Sequence, residues 1–336
     1  MIVDIAVEHG YSMDEYVRLG ALAERYGIGT LWAPNGTSSR DAFVSLSGLA
    51  RSSSRIRMGV QAISPYEMHP LKTANALLTL NELASGRASI LVGGGGAIFG
   101  AIGGKPLRRV RATRECIDIL RRAGTGQTVN YAGEIFTVRN YRPQWAVQPP
   151  PKVLAGANLP QMLRMAARSA DGIMMSDMPL PLVGKAVATV REAMVTPVEP
   201  GREFEFNNWW AWHVHEDKAR AEAEARIRIV LRGMLTKPYI EPFLSEKDCG
   251  LVTSRMPAFY KALRSSSPVI EGVPEPVIRT LVDNLTLTSD LQGLEARIEH
   301  LKSFEKAGLT HLTLGVHEDP ATAIRIIGER VVPALA

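Results

Sequence analysis

Cysteine is nearly missing from the sequence: Cys116 and Cys249 are the only two, and they share neither CxxC spacing nor a secretory setting. That argues against a disulfide scaffold or a thiolate metal centre and makes both free buried thiols. Long apolar runs are missing as well. No stretch approaches the roughly 18 residues that a membrane-spanning helix requires. The chain begins in a short alternating run, Ile2 to Val7, without a signal-peptide pattern, so the expectation is a cytoplasmic protein with no membrane partner. Charge of one sign is not concentrated either: the formal net charge is +5, but bases alternate with acids, as between Arg220 and Arg226, and no nucleic-acid partner is expected. The densest basic stretch, Arg108, Arg109, Arg111 and Arg114, reads either as a solvated helix face or as a patch facing an anionic ligand tail. Three signatures are absent. No Gly-Lys-Ser/Thr follows a glycine run, no GxGxxG follows the first strand, and no His-x-His follows it either. These absences argue against a P-loop, a dinucleotide fold and a metal-dependent barrel hydrolase, and no metal is expected.

What is present is a rhythm. Short β-like runs alternate with amphipathic helical stretches along all 336 residues, the pattern of a parallel sheet built from βα units. Eight strands are predicted: Ile2 to Val7, Thr30 to Ala33, Ile56 to Ala62, Ala88 to Val92, Lys152 to Ala155, Gly172 to Ser176, Phe206 to His213 and Thr310 to Gly315. Several are continuous apolar runs, as strands covered on both faces should be. Helix signals agree with this division. Ser12 and Glu15 make a capping box, Tyr16, Leu19, Ala23 and Tyr26 share one face, and Gly27 stands at the stop. Pro70 opens a helix that ends before Gly86, and Leu294, Ile298, Leu301 and Phe304 form a stripe ending at Gly308. Eight such units specify an α/β fold, a (β/α)8 TIM barrel, as one domain over 1–336 with insertions after strands four and seven, about 97–150 and 236–290. The first insertion contains a predicted hairpin, 128–131 with 135–138.

In a barrel of this type the chemistry lies at the C-terminal ends of the strands. The residues that follow them include Glu8 and His9, Asn35 and Gly36, Gln61 to Pro65, Gly93 to Gly96, Gly156 to Asn158, Ser176, His213 and His317. Four successive glycines at 93–96 give up packing so that a ligand can approach the main chain. Ala155 to Pro160 runs from a strand into a helix start, whose free N–H groups suit a phosphate.

Gly59-Val-Gln-Ala-Ile-Ser-Pro-Tyr-Glu-Met-His-Pro70, then Leu80 to Arg87, then Leu91 to Gly96 resemble the bacterial luciferase-like superfamily, and within it the deazaflavin-dependent methylenetetrahydromethanopterin reductases. Leu31 to Pro34, Tyr131 to Glu134 with Phe136, Leu154 to Gly172, and Ala307 to Leu312 extend the similarity over most of the chain. The resemblance implies a barrel that binds FMN or an 8-hydroxy-5-deazaflavin coenzyme of the F-420 type. It further implies a non-proline cis peptide at Gln61–Ala62 behind the ring, with Ile63 beside it. Gly95 and Gly96 would lie along the ring or its chain, and Gly156, Ala157, Asn158 and Ser176 would hold the phosphate. A homodimer acting on a small-molecule substrate is also implied.

One departure from that pattern is Asn35-Gly36, where deazaflavin enzymes of this group often carry an acid and a histidine. Glu8, His9, Asn35 and His213 are therefore the catalytic candidates. Hydride transfer between coenzyme and substrate is the leading expectation. FMN-linked monooxygenation and a cofactor-free, non-catalytic family member are the alternatives.

Overall fold

A computed structural model describes residues 1–8, 10–95, 101–104, 107–194, 203–232 and 235–336. The strands are β1 (Ile2–Val7), β2 (Thr30–Pro34), β3 (Arg57–Ile63), β4 (Ala88–Val92), β5 (Val129–Ala132), β6 (Thr137–Tyr141), β7 (Lys152–Gly156), β8 (Gly172–Ser176), β9 (Glu205–Val214), β10 (Thr286–Ser289) and β11 (His311–Val316). Eight of them close on themselves in the order β9, β11, β1, β2, β3, β4, β7, β8 and back to β9, every pairing parallel. They are the eight predicted segments, with ends displaced by one residue at most, and the fold is the (β/α)8 barrel.

The helices form where the caps and stripes require. Ser12 accepts from the N–H of Glu15 while Glu15 accepts from the N–H of Ser12, an arrangement that contributes about 1 kcal/mol to the start of the helix Met13–Arg25. Tyr16, Leu19 and Ala23 of that helix face the barrel and are buried.

Two features differ from the sequence expectation. The segment 97–150 is not wholly an insertion: its helix Arg109–Gly124 buries Ala112, Cys116, Ile119, Leu120 and Ala123 and is a regular helix of the barrel. Among the described residues of this segment, the hairpin of β5 and β6 forms a separate two-stranded sheet. A ninth strand, β10, also joins the sheet. Ala211 and Trp212 of β9 pair with β10 and also with β11, so β10 lies along the other edge, beyond the end of β8 at Ser176. Its four residues, Thr-Leu-Thr-Ser, are too short and too polar to give a strand pattern.

Glu115 attaches the hairpin to the barrel. It is fully buried, and its carboxylate accepts from the N–H groups of Glu134 at 2.9 Å, Ile135 at 3.0 Å and Phe136 at 2.9 Å. The helical stretch between β9 and β10 has an apolar cluster of its own, with Ile229, Val252, Phe259, Ile278 and Leu281 among its members. Cys249 sits in that cluster and Cys116 in the main core, both free and buried. No helix among the described residues is long and apolar enough to cross a membrane.

The barrel interior is polar at one end and apolar at the other. Near the strand starts, Asp4, Glu205, Asn207 and Thr313 are buried together. Burial, and then the Glu205 carboxylate, push Asp4 up to about 8. Above this layer, Ala6, Trp32, Leu91, Leu154, Met174, Trp209 and Ala211 form a separate apolar cluster. Gly315 makes room for one of its indoles: a Cβ there would stand 1.7 Å from the Trp209 ring.

Candidate active site

The C-terminal ends of the strands surround an open cavity of about 1610 Å³. Leu91, Met174 and Trp209, the upper members of the apolar cluster, line it. The remaining wall comes from the segments just past the strands: Glu8 after β1, Gln61 and Ala62 at the end of β3, Gly94 and Gly95 after β4, Gly156 to Asn158 after β7, and Ser176 at the end of β8. Tyr239 enters from the helical insertion, and Arg108, Arg109, Arg111 and Glu134 form the rim. The peptide bond Gln61–Ala62 is cis, as the resemblance implies. Asn35 stands behind it, its N–H donating to the carbonyl of Gln61 and its side-chain amide to Glu67 at 2.9 Å.

Of the expected site residues, Glu8, Gln61, Ala62, Gly95, Gly156, Ala157, Asn158 and Ser176 line this one cavity. Three others do not. Ile63 is buried and pairs with Val92, Asn35 braces the third-strand segment, and His213 is enclosed with 1% of its surface exposed. His9 and Gly96 lie outside the described residues.

The wall at 156–162 is the part of the cavity that could hold an anion. The helix Pro160–Ser169 begins without a side-chain cap at Leu159, so the N–H groups of its first turn have no side-chain acceptor, and Pro160, Gln161 and Met162 face the cavity. Asn158 fixes the approach to that turn: its amide donates to the carbonyl of Ser176 at 2.9 Å and its oxygen accepts from the N–H of Ser176 at 2.9 Å. Ser176 Oγ donates to the fully buried Asp177, whose carboxyl burial pushes well above the ordinary range. The cavity surface at Gly156 is backbone, and the nearest atoms a Cβ there would meet are 3.6 Å away. A planar ring with a phosphate-bearing chain fits a cradle of this kind, and FMN and deazaflavin coenzymes share that outline.

At the rim, Arg108 and Arg111 pair with Glu134 at 3.0 and 2.8 Å. With Arg109 also lining the cavity, the rim carries three guanidinium groups to one carboxylate and has a surplus of positive charge. The basic stretch is thus both a helix start and a cavity edge.

The side of the cavity at β1, β9 and β11 has a different character. Glu8 Oε2 lies 2.6 Å from Nδ1 of His317, which follows β11. The His317 ring stacks on His213 with centroids 4.8 Å apart and planes within 8°. His213 Nδ1 is 3.4 Å from Glu224 Oε1, and the other oxygen of Glu224 contacts His215. Arg228 lies 3.5 Å from Glu224 and 3.9 Å from Glu8. Burial, with Arg228 and His215 acting in the same sense, lowers His213 despite the pull of Glu224 in the other direction. Burial opposes ionisation of Glu224 too, yet contacts with His213 and His215 hold it down at about 2. His317, Glu224, Arg228 and Tyr239 were not among the expected site residues. His317 alone had a sequence signal, its place just past the eighth strand.

A family model described as luciferase-like monooxygenase matches residues 4–267. The 5,10-methylenetetrahydromethanopterin reductase of Archaeoglobus fulgidus is 27% identical over 335 residues, covering 97% of this chain and 96% of that protein. Among solved structures, the coenzyme F420 dependent tetrahydromethanopterin reductase from Methanopyrus kandleri superposes with a TM-score of 0.77 at 19% identity, covering all of both chains. An F420-dependent secondary alcohol dehydrogenase, in complex with an F420-acetone adduct, superposes with a TM-score of 0.72 at 18% identity, covering 100% of this chain and 99% of that one.

Proposed function

As this chain belongs to the luciferase-like monooxygenase family and is an oxidoreductase, we propose that it transfers a hydride between a deazaflavin coenzyme of the F420 type and a small organic substrate. The observation that carries this reading is one cavity with an amide-rich anion wall at 156–162 on one side and a carboxylate, Glu8, on another. The coenzyme would supply the hydride donor or acceptor; the protein supplies everything that directs it. The backbone N–H groups of Gln161 and Met162 at the helix start bind the phosphate, and Asn158 and Ser176 keep the turn before them in place. The surplus charge of Arg108, Arg109 and Arg111 receives a further anionic tail. Leu91, Met174 and Trp209 keep water from one face of the ring. Glu8 holds the proton that a substrate oxygen or nitrogen gains or loses when its neighbouring carbon changes oxidation state.

Full-length similarity to a methylenetetrahydromethanopterin reductase favours deazaflavin, and the family description keeps FMN-linked monooxygenation as the second reading. Parallel titrations of the purified chain with coenzyme F420 and with FMN separate the two. Tighter binding of F420, followed by its reduction with a panel of secondary alcohols or reoxidation by methylene-tetrahydropterins, is the expected result. Preference for FMN with oxygen consumption would replace it. The same preparation is expected to sediment as a homodimer.

A further inference from the structure

Glu8 is the cavity carboxylate with a buried histidine behind it, and that histidine has a second histidine lying flat against it. His317 has none of its side chain exposed and brings Nδ1 to 2.6 Å from Glu8 Oε2. Its ring is covered on one side by His213 and met at a tilt by Trp209, with centroids 6.2 Å apart. Among the described residues, the charged groups facing this pair include Glu8 from the end of β1, Glu224 and Arg228 from the helix Lys218–Arg228, His215 just past β9, and Glu318 next to His317, with Arg220 on Glu318. Two imidazolium ions cannot lie 4.8 Å apart, face to face, without strong repulsion, so the stack holds one positive charge at most. Each ring has a carboxylate beside it: Glu224 lies 3.4 Å from His213 Nδ1 and is shared with Arg228 at 3.5 Å, whereas Glu8 lies 2.6 Å from His317 Nδ1, and the shorter contact puts the charge on His317.

We propose that His317 is a positioning residue for Glu8: it fixes the carboxylate on the cavity wall and shares with it the one proton that this side of the site exchanges with substrate. The pair starts as the His317 imidazolium and the Glu8 carboxylate. In the direction that protonates substrate, the Nδ1 proton of His317 passes to Glu8 and from Glu8 to the substrate heteroatom, leaving a neutral imidazole and a carboxylate; the pair regains its one proton through Glu8 from the cavity. In the opposite direction each transfer reverses. His213, stacked and neutral, keeps the ring of His317 from turning away, and Glu224 with Arg228 holds His213 in turn. The use of this pair in turnover rests on the oxidoreductase reading; the coupling between the two residues does not.

The coupling is tested on the full chain without coenzyme, by imidazole 1H–15N spectra of its seven histidines over a pH series, with the His317 signals assigned from His317→Asn. Glu8→Gln is expected to lower the proton affinity of His317 about tenfold or more, the effect of losing an opposite charge at this distance. A His317 signal that does not respond to Glu8→Gln overturns the proposal. For the loaded enzyme, His317→Phe keeps the stack but not the donor. It is expected to lower kcat and remove one limb of its pH profile while leaving KM and coenzyme affinity near wild type, and His317→Asn, which keeps an N–H near the Nδ1 position, recovers part of kcat. Unchanged kcat and an unchanged profile in His317→Phe would also overturn it. If neither F420 nor FMN binds, the oxidoreductase reading fails, and the spectra still decide the coupling.

Discussion

Gly156→Ala separates the ligand cradle from the fold that carries it. An alanine Cβ at this position would meet Gly93 Cα and the Val92 carbonyl at 3.6 Å and Leu91 Cδ1 at 3.9 Å, all ordinary contact distances. No neighbour has to move, and the backbone at 156 is not in the left-handed region, so stability should hold or rise by about 0.4–1 kcal/mol through the less flexible unfolded chain. Gly156 nevertheless lines the cavity beside the anion wall. A methyl group in a close-fitting contact costs roughly 1–3 kcal/mol, which corresponds to about 5- to 150-fold in Kd. Fluorescence titration of wild type and variant with F420 and FMN gives the affinity, and thermal melts of the same samples give the stability. Unchanged affinity for both coenzymes would refute the assignment of this wall to the phosphate chain. A marked fall in melting temperature would refute the claim that the space is free.

Gly315→Ala makes the opposite case: with Cβ 1.7 Å from the Trp209 ring, it should destabilise by several kcal/mol and shift tryptophan emission, and a normal melt with native emission would contradict the packing described. Glu8→Gln should lower turnover by about 10²–10⁴-fold with little change in coenzyme affinity; stopped-flow and binding titrations together check it, and wild-type turnover would remove Glu8 from the chemistry. Glu115→Ala leaves three N–H groups of the hairpin without their acceptor and should cost about 3–5 kcal/mol in a denaturant melt. Asp4 makes stability depend on pH. Its folded value of about 8 lies above an unfolded value of about 3.9, so the folded state binds the extra proton between them. The stabilisation is complete below about pH 4 and is lost as pH rises toward 8, by at most about 1.4 kcal/mol per pH unit. Asp4→Asn should flatten that slope, and parallel stability curves for the two proteins would show that Asp4 is ionised in the fold.

Much of the barrel is legible because its strands are buried on both faces and its helices on one, so periodicity and caps coincide. Leu294, Ile298, Leu301 and Phe304 form the predicted buried stripe, and Ser12 makes the predicted cap. The cavity wall was legible for a related reason: whatever follows a strand of a closed parallel barrel must face the same end. What was not legible depends on contacts between distant segments. Glu224 lies in an Ala-, Arg- and Glu-rich helix with the look of a solvated surface, and only tertiary packing turns it toward His213 and His215. Glu115 sits in a run of arginines, and its partners are backbone N–H groups some twenty residues away, which leave no trace in side-chain pattern. Asn35, expected near the chemistry, instead ties the second-strand loop to the third, because its amide finds Glu67 within reach.

The helical excursion between β9 and β10 buries its own apolar residues together, yet lends Tyr239 to the cavity. Apart from Glu224, Arg228 and Tyr239, changes in that excursion can therefore be absorbed within it, without disturbing the strands that surround the cavity. Selection can reshape what the cavity admits while leaving the barrel beneath it untouched.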